Sequence, residues 1–403
     1  MVHFSFKHYL LLVGLHLSFA VNGFTQVLGC KDPAAINYNA AATVNDGSCL
    51  YATTTITASV RCNLPDSLTE TSGLLLHHGK LFSNTDSGTP NVFFQIDTLS
   101  GAIRKKITVT NASNVDWEEL CSDSLYVYLG DFGNNNGNRT DLKIVRVPWS
   151  AIDTAYSISD TATFISFAYA DQTDFTAHPN ANRFDCEAMI SLGDSLYLFS
   201  KDWVYGHTRV YRIPKQPGNY TAVLIDSFDV KGLITGASFD SIRNKVMLIG
   251  YTTTGLSFVW QLWDFNGAQF FKGNKRRIEL GFAGQTEGIA WLDQHRLLLS
   301  NEGYSIIHQR LQVIDDRSWQ TVSGFRAVKK KMDQSYSIFP NPCSVSFSLD
   351  HKPNAALIEL YTIEGKRLLA TNRAEVNVSN LPNGTYHVVV DGRVVGPLIV
   401  EHR

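Results

Sequence analysis

The 403-residue sequence is poor in charge of either sign. Asp, Glu, Lys and Arg make up 18% of it, against about a quarter in typical soluble domains. The 35 basic residues nearly balance the 37 acidic ones, which leaves a net charge of -2. Since no segment forms a basic face, the composition argues against nucleic acid as a partner.

Long hydrophobic runs are absent beyond the N-terminus, so we predict no membrane-spanning helix. The N-terminus has Lys7, an apolar run from Tyr9 to about Val21, and small residues after it. This is the layout of a secretory signal peptide, and the run is shorter than the ~20 apolar residues of a spanning helix. We therefore predict a signal peptide over residues 1–25 and a secreted or cell-surface protein that passes through the periplasm.

Short catalytic motifs are also missing. The sequence has no G-x-S-x-G, no H-E-x-x-H, no C-x-x-C and no phosphate-cradling glycine loop. No catalytic residue is therefore assigned from motifs, and an enzyme is the less favoured class.

The six cysteines are too few for a disulfide scaffold, but they suit an oxidising destination. Cys30 and Cys49 enclose a polar segment rich in Asn, Asp and Gly turns that cannot build its own apolar core. We predict a Cys30–Cys49 disulfide, worth about 3 kcal/mol by loop entropy, in a module over residues 26–52. The pairing of the others stays open: Cys62, Cys121, Cys186 and Cys343.

The segment GCKDPAAINYNAAATVNDGSCLY, Gly29 to Tyr51, resembles a short module common in secreted proteins of Bacteroidetes. The resemblance implies an extracellular location. Asp32, Asn39 and Asp46 offer oxygens of the kind that Ca²⁺ binds. We favour ordinary turns, because one short loop rarely supplies six ligands.

Residues 53–328 repeat with a period near 50. Equivalent positions in five blocks are separated by 46, 69, 49 and 51 residues; they are Ser72, Glu118, Glu187, Gly236 and Glu287. Such a period with all-β content predicts a β-propeller of four-stranded blades. Five blades are favoured and six are the alternative, and the strand TITASVRC is expected to complete the last blade.

Acids recur where the first strand of each predicted blade begins. The first and the third position of each block lie on the same face of the strand, and we expect both side chains to point to the axis of the propeller. The acids of these two rows of positions are Glu70, Asp116, Glu118, Asp185, Glu187 and Glu287. We favour a scaffold role through hydrogen bonds between blades; the alternatives are a hard cation such as calcium, held by Asp116, Glu118, Glu187 and Glu287, and a catalytic carboxylate.

A third row lies where the second strands end, and it differs from blade to blade. It contains Asp86, Asp131, Lys201, Asp202, Tyr251, Asn301 and Glu302. Variation within a repeat is typical of ligand contacts, so Asp131, Lys201 and Asn301 join the channel acids as ligand candidates.

The blocks beginning at Glu70, Asp116 and Asp185 resemble secreted bacterial propellers of the phytase-like kind. The phytases themselves have a calcium-lined phosphate site with basic residues. Since those basic residues have no counterparts here, phosphatase activity is not implied.

A short charged linker, residues 329–335, follows the repeats. Over residues 336–403 apolar and polar residues alternate, which predicts a small antiparallel β-sandwich. The motifs Phe339-Pro340-Asn341-Pro342 and Leu381-Pro382-Asn383-Gly384-Thr385-Tyr386 resemble the C-terminal sorting domain of type IX secretion cargo. The resemblance implies recognition by the outer-membrane translocon, with release or surface attachment left open.

The sequence thus predicts an all-β secreted or cell-surface propeller followed by a β-sandwich. The favoured function is binding of a glycan, peptide or protein ligand at the propeller mouth. The alternative is a calcium-dependent hydrolase of phosphate esters or lactones in the channel. No other cofactor is indicated.

Overall fold

The computed structural model describes residues 26–87, 90–158, 161–303, 307–320, 336–350, 356–362, 367–390 and 393–402. The predicted signal peptide and the predicted linker, residues 329–335, lie outside these ranges. The chain divides between Gln320 and Thr321 into two compact units. We describe each unit by itself.

The first unit begins with the disulfide module, residues 26–52. Strands β1 (Leu28–Gly29) and β2 (Val44–Asn45) pair in parallel, and the predicted Cys30–Cys49 disulfide is confirmed. The other four cysteines are unpaired. The two buried half-cystines pack with Ala35 as the module's small apolar core.

The side chains that offer oxygens of the kind that Ca²⁺ binds take part in the turns of this module. Asp32, Asn39 and Asp46 each accept a hydrogen bond from the backbone N–H two residues on, at 2.9–3.0 Å. These are Asx turns, in which a short side chain satisfies the local backbone. All three side chains therefore have the geometry of ordinary turn residues, the interpretation favoured from the sequence.

Two further strands precede the repeats, β3 (Thr54–Thr55) and β4 (Ser59–Asn63). The repeats then form sheets that we number first to fifth. The strands of the first sheet and the inner part of the second are β5 (Thr71–His77), β6 (Lys80–Thr85), β7 (Val92–Ile96), β8 (Ile103–Val109), β9 (Trp117–Ser122), β10 (Tyr126–Asp131) and β11 (Lys143–Pro148). Helix α1 (Trp149–Thr154) and strands β12 (Ser157–Ile158) and β13 (Thr163–Tyr169) follow.

The third sheet contains β14 (Asp185–Leu192), β15 (Ser195–Lys201), β16 (His207–Pro214) and β17 (Gly218–Asp229). The fourth contains β18 (Leu233–Asp240), β19 (Lys245–Tyr251), β20 (Leu256–Trp263) and β21 (Asn274–Ala283). The fifth contains β22 (Thr286–Trp291), β23 (Arg296–Asn301) and β24 (Arg310–Asp315), and helix α2 (Arg317–Gln320) ends the unit.

Each sheet is an antiparallel meander with its first strand innermost. The innermost strands contact one another in ring order, β5 to β9, β14, β18, β22 and back to β5. Apolar side chains fill the space between neighbouring sheets. The described residues therefore form a closed ring of five sheets, which is the predicted propeller architecture.

The ring is closed by the N-terminal strand. Strand β4 pairs antiparallel with β24, with Cys62 opposite Leu311, and so supplies the outermost strand of the fifth sheet. This is the closure expected from TITASVRC. Outer edges are covered as well: β3 pairs with β21, β12 with β8, and β13 with β17, all in parallel.

Every inner hairpin carries a β-bulge near the start of its first strand. In the third sheet Cys186 pairs with Ser200 and Ala188 with Phe199, so Glu187 is the extra residue. The extra residues in the other sheets are Ser72 with Gly73, Glu118, Thr235, and Glu287 with Gly288. A bulge turns a side chain away from the regular alternation of the strand.

The second unit is a small sandwich, as predicted. Its strands are β25 (Ile338–Phe339), β26 (Ser346–Leu349), β27 (Ile358–Thr362), β28 (Arg367–Thr371), β29 (Glu375–Asn377), β30 (Gly384–Val390) and β31 (Arg393–Val400). They form a three-stranded sheet, β25-β26-β29, and a four-stranded one, β28-β27-β30-β31. Cys343, Phe347 and Leu360 are among the buried residues of its core.

Candidate functional site

The starts of the first strands and the ends of the second strands meet at one end of the ring. Hairpin pairing requires this, since Asp185 lies opposite Lys201 and Thr286 opposite Asn301. A cavity of about 660 Å³ opens there, which we call the channel mouth. Its charged lining residues are Glu70, Asp86, Glu118, Glu187, Lys201, Glu287 and Glu302.

Six carboxylates and one ammonium group therefore line the channel mouth among the described residues. Trp203 and Tyr251 add aromatic surface. Since like charges held together in a buried place repel one another, such a cavity favours bound protons or a bound cation.

One side of the channel mouth brings three acids into a tight cluster. Asp86, Asp116 and Glu118 each offer a carboxylate oxygen, and these oxygens lie within 4.8 Å of one another. Burial, followed by the charge of Asp86, raises the pKa of Asp116 to about 8. Burial and Asp86 also raise the pKa of Glu118 well above its usual range. The cluster has the oxygen chemistry of a hard-cation site.

The other side holds the buried ammonium group. Lys201 Nζ lies 3.1 Å from Glu187 Oε1, 4.8 Å from the centre of the Trp203 ring and 5.5 Å from that of Tyr251. Burial lowers the pKa of Lys201, but Glu187 and the other nearby acids outweigh it and raise that pKa above the usual range. The acidic neighbours of Lys201 therefore favour its charged ammonium form inside the cavity.

Two further acids face the same space. Glu287 is 3% exposed, and its Oε2 is buried without a hydrogen-bond partner among the described residues. Glu302 accepts a hydrogen bond from Gln285 Nε2 at 2.8 Å. Burial, with Asp86 next, raises the pKa of Glu302 to about 7. Both carboxylates can therefore accept a further hydrogen bond from a ligand.

Three of the sequence candidates are held by the scaffold. Asp185 accepts hydrogen bonds from the backbone N–H of Asn134, at 2.6 Å, and from Trp203 Nε1, at 2.7 Å. It thereby joins a loop of the second sheet to the third. Asp131 pairs with Arg139 and Lys143 at 2.9 and 2.7 Å.

Asn301 also serves the scaffold, because its side-chain amide donates to the carbonyls of Glu302 and His308 and accepts from Gln312. The structure thus places Glu70, Glu118, Glu187, Lys201 and Glu287 at the channel mouth. Asp116 belongs to the acid cluster beside the channel mouth. Asp131, Asp185 and Asn301 are not among the residues that line the cavity.

Sequence reasoning missed Trp203 and aligned the fourth repeat one residue too late. Trp203 follows Lys201 by two positions in a polar exit loop, a weak signal on its own. The bulge makes Thr235 the counterpart of Glu187, where the repeat alignment has Gly236. Thr235 Oγ1 donates to the carbonyl of Thr286 in the next sheet, as Ser72 Oγ does to Glu118.

Residues 337–394 match the family of the secretion system C-terminal sorting domain. The chain therefore carries a type IX sorting tail, which indicates export to the cell surface or secretion. No helix within the described ranges is long and apolar enough to cross a bilayer. No curated protein matches the chain.

Solved structures with a similar fold are distant. The chain is 11% identical to the PQQ-bound aldose sugar dehydrogenase of Streptomyces coelicolor, over 64% of this chain and 98% of that one, with a TM-score of 0.38. It is 12% identical to PorZ of Porphyromonas gingivalis, a surface component of the type IX secretion system, over 82% and 45%, with a TM-score of 0.31. Similarities of this size transfer no activity to the present chain.

A further similar structure is the α-L-arabinofuranosidase PaAbf62A of Podospora anserina, with 11% identity over 64% of this chain and 95% of that one, and a TM-score of 0.36. The ring of sheets, the sorting tail and the charged lining of the cavity together define an exported propeller with an acidic channel mouth.

Proposed function

We propose that this protein is an exported binding protein whose channel mouth holds a ligand bearing a positively charged amine. The observation that carries the proposal is the excess of carboxylates in one cavity, six against a single ammonium group. A glycan with free amino groups and a basic peptide share this chemistry. A partner protein would present the same group on a lysine side chain.

The cavity supports this class for two physical reasons. Its volume, about 660 Å³, lies within the roughly 300–1,000 Å³ typical of small-ligand sites. The rings of Trp203 and Tyr251 already lie beside one ammonium group, that of Lys201, and aromatic faces attract cations.

The test is calorimetric titration of the full chain at low salt with four hexameric probes. Hexalysine and the glucosamine hexamer carry amines, the N-acetylglucosamine hexamer is neutral, and hexaglutamate is acidic. We expect only the first two to bind. Glu302→Gln should weaken that binding about tenfold, equivalent to about 1.4 kcal/mol.

The matched control is Glu279→Gln, on an outer strand of the fourth sheet and paired there with Arg277. It should leave amine binding unchanged. Equal binding of the neutral hexamer, or equal weakening by both substitutions, would rule out the channel mouth as an amine site.

The oxygen cluster favours a second candidate, a calcium-dependent hydrolase of phosphate esters or lactones. Asp86, Asp116 and Glu118 would hold the ion, which would supply Lewis-acid activation of the substrate. Lys201 is the sole cation lining the cavity among the described residues, so a phosphate ester would face strong repulsion there.

Calcium titration separates this candidate from the first. If the double variant Glu118→Gln, Glu187→Gln folds and leaves calcium binding unchanged, the hydrolase proposal fails. Hydrolysis of p-nitrophenyl phosphate or of a simple lactone that requires calcium and is lost in Glu118→Gln would favour it over the amine-binding proposal.

A further inference from the structure

The disulfide module is seated firmly on the fourth sheet. Asn45 Nδ2 donates to Asn274 Oδ1 at 2.9 Å and also to Asp264, and Lys275 Nζ donates to the carbonyl of Gly47 at 3.2 Å. Gly47 has a φ of +73°, and a Cβ there would lie 2.2 Å from the carbonyl oxygen of Lys272. The contact therefore requires glycine, and the module has a fixed place.

A cleft opens where the module meets the sheet. It consists of two cavities of about 500 and 250 Å³, both lined by Asp32, Lys245 and Trp263. We call it the junction cleft. Its charged residues are Lys31, Asp32, Arg243, Lys245, Asp264 and Arg276. With four basic and two acidic side chains, its formal charge is +2, opposite in sign to that of the channel mouth.

Both acids of the junction cleft are already engaged by the module. Asp32 accepts hydrogen bonds from the backbone N–H of Ala34, at 2.9 Å, and from the hydroxyl of Tyr51, at 2.8 Å. Asp264 accepts from Asn45. Their charges are thus partly satisfied away from the basic residues.

Among the basic residues, Arg243 is paired with Asp240 outside the cleft. The positive charge available to a ligand is therefore that of Lys31, Lys245 and Arg276.

Arg276 is the most informative of the basic residues. It is 6% exposed, and its Nη2 donates to Thr54 Oγ1 at 2.9 Å. Its Nε is buried and has no hydrogen-bond partner among the described residues. No carboxylate of those residues forms an ion pair with it; its guanidinium carbon lies 5.3 Å from the centre of the Tyr51 ring. Burial lowers the pKa of Arg276, and Tyr51 and Asp32 oppose this only partly. A buried guanidinium group without a counter-ion is costly, and an anionic group entering the cleft would relieve that cost.

Lys245 and Trp263 complete the arrangement. Lys245 Nζ lies 3.6 Å from Asp316 Oδ2, a long contact that leaves the ammonium group able to bind a second anion. The Trp263 ring lies 5.4 Å from that of Tyr51, centre to centre, and lines both cavities. The C–H faces of sugar rings are apolar and pack on aromatic surfaces of this kind.

We propose that the junction cleft binds an acidic sugar unit. Arg276 and Lys245 hold its carboxylate or sulfate group, and its ring packs against Trp263. The site is independent of the channel mouth in position and in charge.

The test uses calorimetry on the full chain with trigalacturonate, a sulfated heparin disaccharide, neutral maltotriose and sodium sulfate. We expect the two acidic saccharides to bind more tightly than sulfate and maltotriose to give no heat. Arg276→Gln and Lys245→Gln should each weaken binding at least tenfold.

Arg277→Gln is the matched control. Arg277 is the next residue on β21, pairs with Glu279 at 2.6 Å and lies over Phe258, so its loss should change the affinity less than twofold. Glu118→Gln, at the channel mouth, should likewise have no effect, which separates this proposal from the amine-binding one.

Sulfate that binds as tightly as the acidic saccharides would overturn the sugar site. So would acidic saccharides that fail to bind, or that bind Arg276→Gln and Lys245→Gln as tightly as the wild type. If circular dichroism shows that Arg276→Gln does not fold, Lys245→Gln and Trp263→Phe decide the question. Wild-type affinity in both would overturn the proposal.

Discussion

Glu119 in the second sheet accepts a hydrogen bond from the backbone N–H of Ala237 in the fourth, at 2.8 Å between Oε2 and N. Its Oε1 accepts from the N–H of Leu120 at 2.9 Å, and the N–H groups of Leu74 and Met189 also act on this carboxylate. A single buried side chain thus connects strands of four sheets. Its hydrogen-bond partners Leu74, Leu120, Met189 and Ala237 are among the residues that line a second cavity, of about 150 Å³.

We predict that Glu119→Ala destabilises the ring strongly. The substitution leaves at least the N–H groups of Leu120 and Ala237 buried without an acceptor, each worth about 1–3 kcal/mol. Urea denaturation should show a loss of about 3 kcal/mol or more. The neighbouring Glu118→Ala is the control, because Glu118 faces the cavity, and it should change the unfolding free energy by less than about 1 kcal/mol. A larger loss from Glu118→Ala than from Glu119→Ala would contradict the role of Glu119.

Stability should fall as the pH rises toward 8. The pKa of Asp116, about 8, and that of Glu302, about 7, both exceed their unfolded values near 4. Between these limits the folded chain holds protons that the unfolded chain has released, so deprotonation costs the folded state on the order of 1 kcal/mol per pH unit per group. This stabilisation is complete below about pH 4 and lost above about pH 8.

Urea unfolding in a chelator-containing buffer at pH 5, 6, 7, 8 and 9 measures this slope. Asp116→Asn should flatten it. Asp293→Asn is the control, since local hydrogen bonds and Arg296 overcome slight burial and lower the pKa of Asp293 to about 2; it should keep the wild-type slope between pH 5 and 8. An unchanged slope in Asp116→Asn would show that Asp116 is ionised throughout.

The sequence allowed the architecture to be predicted because its signals are local. The hairpin between β5 and β6 turns at His78 and Gly79, with φ values of 47° and 75°, and a glycine beside a residue that tolerates positive φ is a strong hairpin signal. The spacing of such hairpins revealed the repeat. The apolar strands between them located the buried sheets.

The details of the site were not accessible in the same way. A bulge is a property of the register between two strands and cannot be read from the spacing of residues in one of them. The observed registers make Thr235 the counterpart of Glu187. The period-two rule also places Glu118 and Glu119 on opposite faces, and it does not show that Glu119 reaches N–H groups of three other sheets. Both facts depend on how the sheets approach one another.

The disulfide should stabilise its module locally. Cys30 and Cys49 are 19 positions apart, which corresponds to about 3 kcal/mol by loop entropy. In the double variant Cys30→Ser, Cys49→Ser, we expect hydrogen exchange to accelerate over residues 27–51. Exchange in strands β14 and β15 should stay slow, because no contact of the ring core depends on this bond. Cys343→Ser, in the sorting sandwich, serves as the control. Equal acceleration in β14 would show that the module holds the ring together.

Lys201 should limit how tightly the channel mouth binds an amine. Its ammonium group, 3.1 Å from Glu187, competes with a ligand cation for the same carboxylates and repels it. Lys201→Gln should therefore strengthen hexalysine binding about tenfold, while loss of the buried pair costs about 3–5 kcal/mol of stability. Lys143→Gln removes a different ion pair, that with Asp131, and should destabilise the fold without changing affinity. Weaker hexalysine binding by a folded Lys201→Gln variant would mean that Lys201 holds the site in shape and does not compete with the ligand.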